Sequence, residues 1–130
     1  MLRITNQVVT YRPFQIMFSL VVNSGVHQHV PLCEVEETSR KWLHDSKVAG
    51  HIFLPGTWSS APKQDIRESI AIQEPWATYE GFVDPITYAD LTDAIVTGAL
   101  TGLADLIGTK FKIDPIFVVF QDEILRLEKC

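Results

Sequence analysis

Glu68 is the side chain whose setting in this sequence most resembles a chemical site. Ile66, Glu68, Ile70 and Ile72 share one register of an extended run, so a carboxylate stands on an otherwise apolar face. Without a partner such a group is costly to bury and its pKa is driven upward, which suits a general acid/base or a hook for a polar ligand. Arg67 projects to the opposite face and cannot neutralise it. The plainer reading is an interfacial ion pair or a solvent position at a strand end.

Aromatic residues near turns supply the second set of candidates. Trp58 follows Pro55-Gly56-Thr57, and Trp76 and Tyr79 follow Pro75. Aromatics carried on loops of a rigid scaffold often line ligand sites; the alternative is that they plug the edge of the core. Trp58, Glu68, Trp76 and Tyr79 are therefore the candidate ligand residues, with Glu68 as the candidate catalytic group.

His27-Gln28-His29, followed by Cys33 and Glu34, has the composition of a ligand set. In an extended segment both imidazoles project to one side. No second Cys/His pair completes a zinc spacing, so no metal is assigned and surface histidines are the simpler account. Cys33 near a helix start could carry thiolate character, with only His27 or His29 as a base. His44 and His51 stand alone. The sequence has no Gly-rich phosphate loop, Gly-x-Ser-x-Gly elbow or Cys-x-x-Cys pair, and no cofactor is implied.

The elements that would position these residues follow from periodicity. Phe14, Ile16, Phe18, Leu20 and Val22 alternate through a strand that ends at Asn23-Ser24-Gly25. Residues 1–12 form an arm or an extra edge strand, set off by Arg12-Pro13. A helix starts near Pro31 and ends by Ser46, with acidic residues early and Arg40 and Lys41 late. Its inner stripe is Leu32, Val35, Ser39, Trp42 and Leu43, and Glu36/Arg40 and Glu37/Lys41 are spaced i,i+4.

His51–Leu54 reads as a short strand, 57–64 as a loop, Ile66–Glu74 as a strand, and Trp76–Val83 as a strand or an aromatic-rich loop. Thr87-Tyr88-Ala89-Asp90 resembles a capping box for a second helix that Gly108 stops. Ile116–Phe120 is a buried-type strand, which Ile124–Leu127 continues past a bulge.

The order strand, helix, strand, strand, helix, strand over residues 14–127 resembles the ferredoxin-like α+β sandwich, an antiparallel sheet with both helices on one face. The resemblance lies in element order alone and leaves function open. At 130 residues, 46% hydrophobic and 21% charged, the chain reads as one globular domain.

The second helix carries more apolar surface than one sheet face requires. Leu91, Ile95, Gly98, Gly102 and Leu106 form one line, and Val96, Leu100, Leu103 and Ile107 another. Gly98-x-x-x-Gly102 would let the helix approach the sheet closely. The strand Ile116–Phe120 is apolar in both registers, so its outer face also prefers cover. Both features predict a homo-oligomer.

A net charge of −5 with scattered basic residues disfavours nucleic acid. Ala94–Ile107 is too short to span a bilayer, so no membrane partner is expected. Two cysteines far apart, Cys33 and Cys130, fit free thiols in the cytoplasm. The reading that results is an oligomeric small-molecule-binding or regulatory domain without evident catalytic machinery. Its alternatives are a small enzyme using Glu68 in an inter-subunit pocket, and a protein-interaction module using the open sheet face.

Overall fold

Burial alternates along the strand that opens at Pro13: Phe14, Ile16 and Phe18 are buried, while Gln15, Met17 and Ser19 turn the other way. The computed structural model describes residues 11–23, 27–62, 75–121 and 123–128. In chain order they form β1 (Pro13–Ser19), β2 (Val21–Asn23), β3 (His27–His29), α1 (Leu32–Val48), β4 (Gly56–Pro62), β5 (Pro75–Phe82), α2 (Asp93–Phe111), β6 (Ile116–Phe120) and β7 (Glu123–Leu127). One sheet has the order β4-β5-β1-β6-β7, antiparallel throughout, and β2 and β3 make a separate hairpin. The run β6-β1-β5-β4 is the strand order of the ferredoxin-like sandwich, which the chain therefore adopts, with β7 added at one edge.

The core lies between one face of this sheet and α2. Val96, Leu100, Leu103, Ala104 and Ile107 are fully buried against Phe14, Ile16, Phe18, Tyr79, Ile116 and Val118. Large side chains buried in this way stabilise by about 1.5–3 kcal/mol each. α1 contributes less apolar area, its buried residues being Val35, Thr38, Ser39 and Ser46. Of the expected inner stripe, Leu32, Trp42 and Leu43 are only half-buried.

Several sequence expectations are corrected. β1 stops at Ser19, because the Ser19 hydroxyl accepts from the Val21 amide at 3.1 Å and turns the chain into the β2–β3 hairpin. His51–Leu54 is not a strand. Its backbone bonds elsewhere instead, His51 N–H donating to the Ser46 carbonyl of α1, Phe53 N–H to the Tyr88 hydroxyl, and the Leu54 carbonyl accepting from Tyr79. The expected loop at 57–64 holds strand β4, and the ambiguous Trp76 segment is strand β5. Ile66–Glu74 and residues 1–10 lie outside the described residues.

The second helix begins later than the capping box implied. Asp84 takes the Ile86 and Thr87 amides and the Thr87 hydroxyl into a turn, and Thr92 caps the helix by accepting from Ile95. Gly108 does not stop it; Lys112 does, in the left-handed conformation at φ 56°. The helix runs 19 residues and is long and apolar enough to cross a membrane by length and composition, with one face packed on the sheet. Gly98 and Gly102 do not approach the sheet, and a Cβ at either would meet no atom within 4 Å. Ile124–Leu127 does not continue β6; the chain reverses at Gln121, φ 56°, into an antiparallel pair. On α1 the ion pair formed is Arg40–Glu37, at i,i+3.

Two glycines face each other across β4 and β5. Gly56 pairs with Gly81, and the rings of Tyr79 and Phe14 occupy the space their side chains would take. A Cβ on Gly81 would stand 2.5 Å from the Pro55 carbonyl and 2.6 Å from the Phe14 ring. Because backbone lies on the clashing side, Gly81→Ala should destabilise the fold by about 2 kcal/mol or more. Urea unfolding measures this, and a loss below about 0.5 kcal/mol, the range of ordinary surface substitutions, would refute the close packing at this end of the sheet.

Candidate functional site

The two faces of the sheet differ in chemistry because the strand period assigns alternate residues to each. On the face turned away from the helices, the register lays out cross-strand rows. Thr57, Glu80, Gln15, Val119 and Ile124 form one, and Ser59, Thr78, Met17, Phe117 and Arg126 the next. Trp76 lies in the adjoining row, between Ser19 and Ala61.

Aromatic contacts hold this face together. Trp76 stacks on Phe117 with centroids 6.2 Å apart and planes at 25°. The Arg126 guanidinium lies over the Phe117 ring, 5.8 Å from its centroid, a cation–π contact, and it also pairs with Glu128. At one end of the face Tyr11 and Phe82 meet at 5.9 Å, and both are exposed.

Beside Tyr11 and Phe82 opens a cleft of about 770 Å³ lined in part by Gln15, Thr57, Glu80 and Gln121. The Glu80 carboxylate is exposed and has no ion-pair partner among the described residues. Asp84, also on the cleft, is held below the usual carboxylate range by the Ile86 amide, the Thr87 hydroxyl and the Thr87 amide. It therefore stays ionised and spends its oxygens on the turn. Flat rings, a carboxylate without an ionic partner and an amide side chain together suit a ligand with a planar group and a positive charge.

The structure separates the residues singled out from the sequence. Trp76 is on the face turned away from the helices and is half-buried. Trp58 and Tyr79 are cross-strand partners on the helix side, their rings 5.0 Å apart. Trp58 Nε1 donates to the Ser39 hydroxyl at 2.8 Å, which ties edge strand β4 to α1. Glu68 lies outside the described residues. Of the candidate metal segment, His29 and Cys33 are exposed, and no group of three or more His, Cys, Asp or Glu among the described residues is arranged to hold a metal. Sequence reasoning does not single out Gln15, Glu80, Phe82 or Phe117. The signal for Phe117 is present, since a strand apolar in both registers must send one set outward.

No family model matches the chain, and no curated protein matches it. Two solved structures do. A phage SAM lyase in complex with S-methyl-5'-thioadenosine superposes with a TM-score of 0.60 at 13% identity over 96% of each chain. A phage SAM lyase in the apo state gives 0.62 at 13% identity, over 98% of this chain and 97% of the other. At that identity the likeness establishes the fold.

Tyr79 makes the helix side of the sheet sensitive to alkaline pH. Burial pushes its pKa from 10.0 up to about 12, against a smaller opposing effect of a backbone hydrogen bond with Gly56. The neutral hydroxyl donates to the Leu54 carbonyl at 2.8 Å. A raised folded-state pKa means that the contribution is complete below pH 10 and is lost as pH climbs from 10 towards 12. Urea titrations across that window should show wild type losing stability that Tyr79→Phe does not lose. Parallel curves for the two proteins would contradict the assignment.

Proposed function

We propose that this chain is an oligomeric small-molecule-binding domain whose ligand lies on the sheet face turned away from the helices, stacked on Trp76 and Phe117. The observation that carries the reading is the chemistry of that face: Trp76 stacks on Phe117 in one part of it, and in another a cleft opens where Glu80 has no ionic partner among the described residues. The phage SAM lyase that shares the fold holds S-methyl-5'-thioadenosine, a purine joined to a thioether. A purine stacks on an indole, and an uncompensated carboxylate favours a positive sulfonium or ammonium group elsewhere on the same molecule. The ligand class proposed is thus an adenosyl thioether or its sulfonium. An apolar outer face on β6 supports a second copy closing the site. In this reading the chain is a single cytoplasmic domain with no nucleic-acid or membrane partner.

A second reading is favoured by the fact that the fold neighbour is a lyase. The chain would then be a small enzyme acting on the same ligand class, with Glu68 as general acid/base. The two readings share the binding step and differ in whether the ligand is consumed.

Calorimetric titration with S-methyl-5'-thioadenosine and with SAM tests both. Saturable binding is expected, weakened at least about tenfold by Trp76→Ala, since stacking of a base on an aromatic ring contributes about 1–3 kcal/mol. Trp58→Phe should retain it. Absence of binding to either compound, or equal affinity in Trp76→Ala, would sink the proposal. Mass spectrometry of the SAM mixture decides the second reading: cleavage by wild type but not by Glu68→Gln supports the enzyme, and intact SAM throughout rejects it.

A further inference from the structure

α1 and α2 leave a cleft between them of about 620 Å³, a volume in the range of small-molecule sites. One wall is a single side of α1, where Thr38, Lys41, Trp42, Asp45 and Ser46 recur at helical spacing. The other wall is Leu106 and Lys110 of α2. The cleft belongs to the helix layer and shares no residue with Trp76, Phe117 or the cleft beside Glu80.

Its two ends differ in chemistry. At the first, Lys110 donates to the Thr38 hydroxyl at 3.0 Å, and Lys41 follows Thr38 by one turn. Neither ammonium has a carboxylate partner among the described residues, because Glu37, four residues before Lys41, is taken by Arg40. Two cations thus converge in a chain whose net charge is −5. The middle is apolar, with Trp42 half-buried and Leu106 40% exposed.

At the far end stand Asp45, Ser46 and His51, the last held there by its amide bond to the Ser46 carbonyl. Ser46 is only 9% exposed. The other buried hydroxyls of α1 donate to carbonyls of their own helix, Thr38 to Glu34 at 3.0 Å and Ser39 to Glu36 at 2.8 Å. The Ser46 hydroxyl makes no hydrogen bond among the described residues. A buried hydroxyl without a partner is costly, and this one lines the cleft.

We infer that the cleft between α1 and α2 binds an aromatic carboxylate that carries a hydroxyl at its far end. The carboxylate meets Lys41 and Lys110, the ring lies between Trp42 and Leu106, and the hydroxyl reaches Ser46 and Asp45. The spacing suits such a molecule, since Ser46 lies roughly 7 Å beyond Lys41 along the helix axis. A carboxylate fits better than a phosphate. Lys110 is in the last turn of α2, where the helix dipole opposes a second negative charge, and no arginine or helix N-terminus lines the cleft among the described residues. The inference is independent of the ligand reading on the sheet.

The probe is para-hydroxyphenylacetate, titrated into the isotope-labelled full chain and followed by the amide and indole signals in NMR. Saturable shifts are expected along α1 from Thr38 to Ser46, at the Trp42 indole and near Lys110. Tyramine, which has an ammonium in place of the carboxylate, should leave these signals unmoved. Lys41→Gln should weaken the acid by at least about threefold, the effect of one partly exposed charge-assisted bond. Ser46→Ala should weaken para-hydroxyphenylacetate but not phenylacetate, which lacks the hydroxyl, a selectivity that a general disturbance of α1 would not produce. Trp76→Ala should bind the probe as wild type does. No saturable shift, shifts outside the cleft, equal binding of tyramine, indifference to Lys41→Gln, or loss of binding in Trp76→Ala would each overturn the inference.

Discussion

The Tyr79 hydroxyl donates to the Leu54 carbonyl inside the protein, and the segments without a ladder of their own are organised around that bond. Phe53, the preceding residue, gives its amide proton to the Tyr88 hydroxyl. The Tyr88 carbonyl accepts from the Arg12 guanidinium, which also reaches the Leu91 carbonyl and Asp93. In the other direction the Tyr79 ring lies against Trp58, whose indole nitrogen is bound to Ser39 of α1. One line of side chains thus joins the start of β1, the turn before α2, the connection into β4, two strands and the first helix. The irregular backbone it holds would otherwise be buried with unmet polar groups, each costing about 1–3 kcal/mol.

The two helices divide their tasks unequally. α2 supplies the apolar layer, while α1 is attached through hydroxyls: Ser39 to Trp58, and Thr38 to Lys110 of α2. Directional bonds of this kind specify position more than they add stability. The sheet therefore takes its rigidity from β1, β5, β6 and α2; the three strands among them also carry Trp76, Phe117, Gln15 and Glu80. The residues on the face turned away from the helices rest on the best-packed part of the described structure.

Those features that follow from local periodicity are legible in the sequence. The alternation of Phe14, Ile16 and Phe18 marks the central strand, and the element order marks the sandwich. The two apolar lines on α2 are both visible, but nothing local distinguishes the line that meets the sheet from the one that does not. The Gly98/Gly102 pair sits on the latter. His51–Leu54 passes for a strand because the backbone partners of Phe53 and Leu54 are hydroxyls of Tyr88 and Tyr79, remote in sequence. The strand Gly56–Pro62 is hidden because an edge strand rich in serine and glycine has no alternation to read. Thr87 and Thr92 are rival caps of similar local quality, and Asp84 decides between them by drawing Thr87 into a turn. For the candidate site, Trp76 is identifiable as an aromatic after proline. Gln15 and Glu80 have no signal until the register places them side by side.

β7 turns back from Gln121 and covers the free side of β6. The strand it covers, Ile-Phe-Val-Val-Phe, is a short charge-free segment of high β-propensity, the composition of a steric zipper. The edge left facing outward instead carries Glu123, Arg126 and Glu128. A sheet ending at β6 would offer its most self-adhesive segment as a template for fibrils. The reversal at one left-handed residue replaces that template with a charged margin, so the solubility of the whole fold is guarded by a short strand that contributes little to its core.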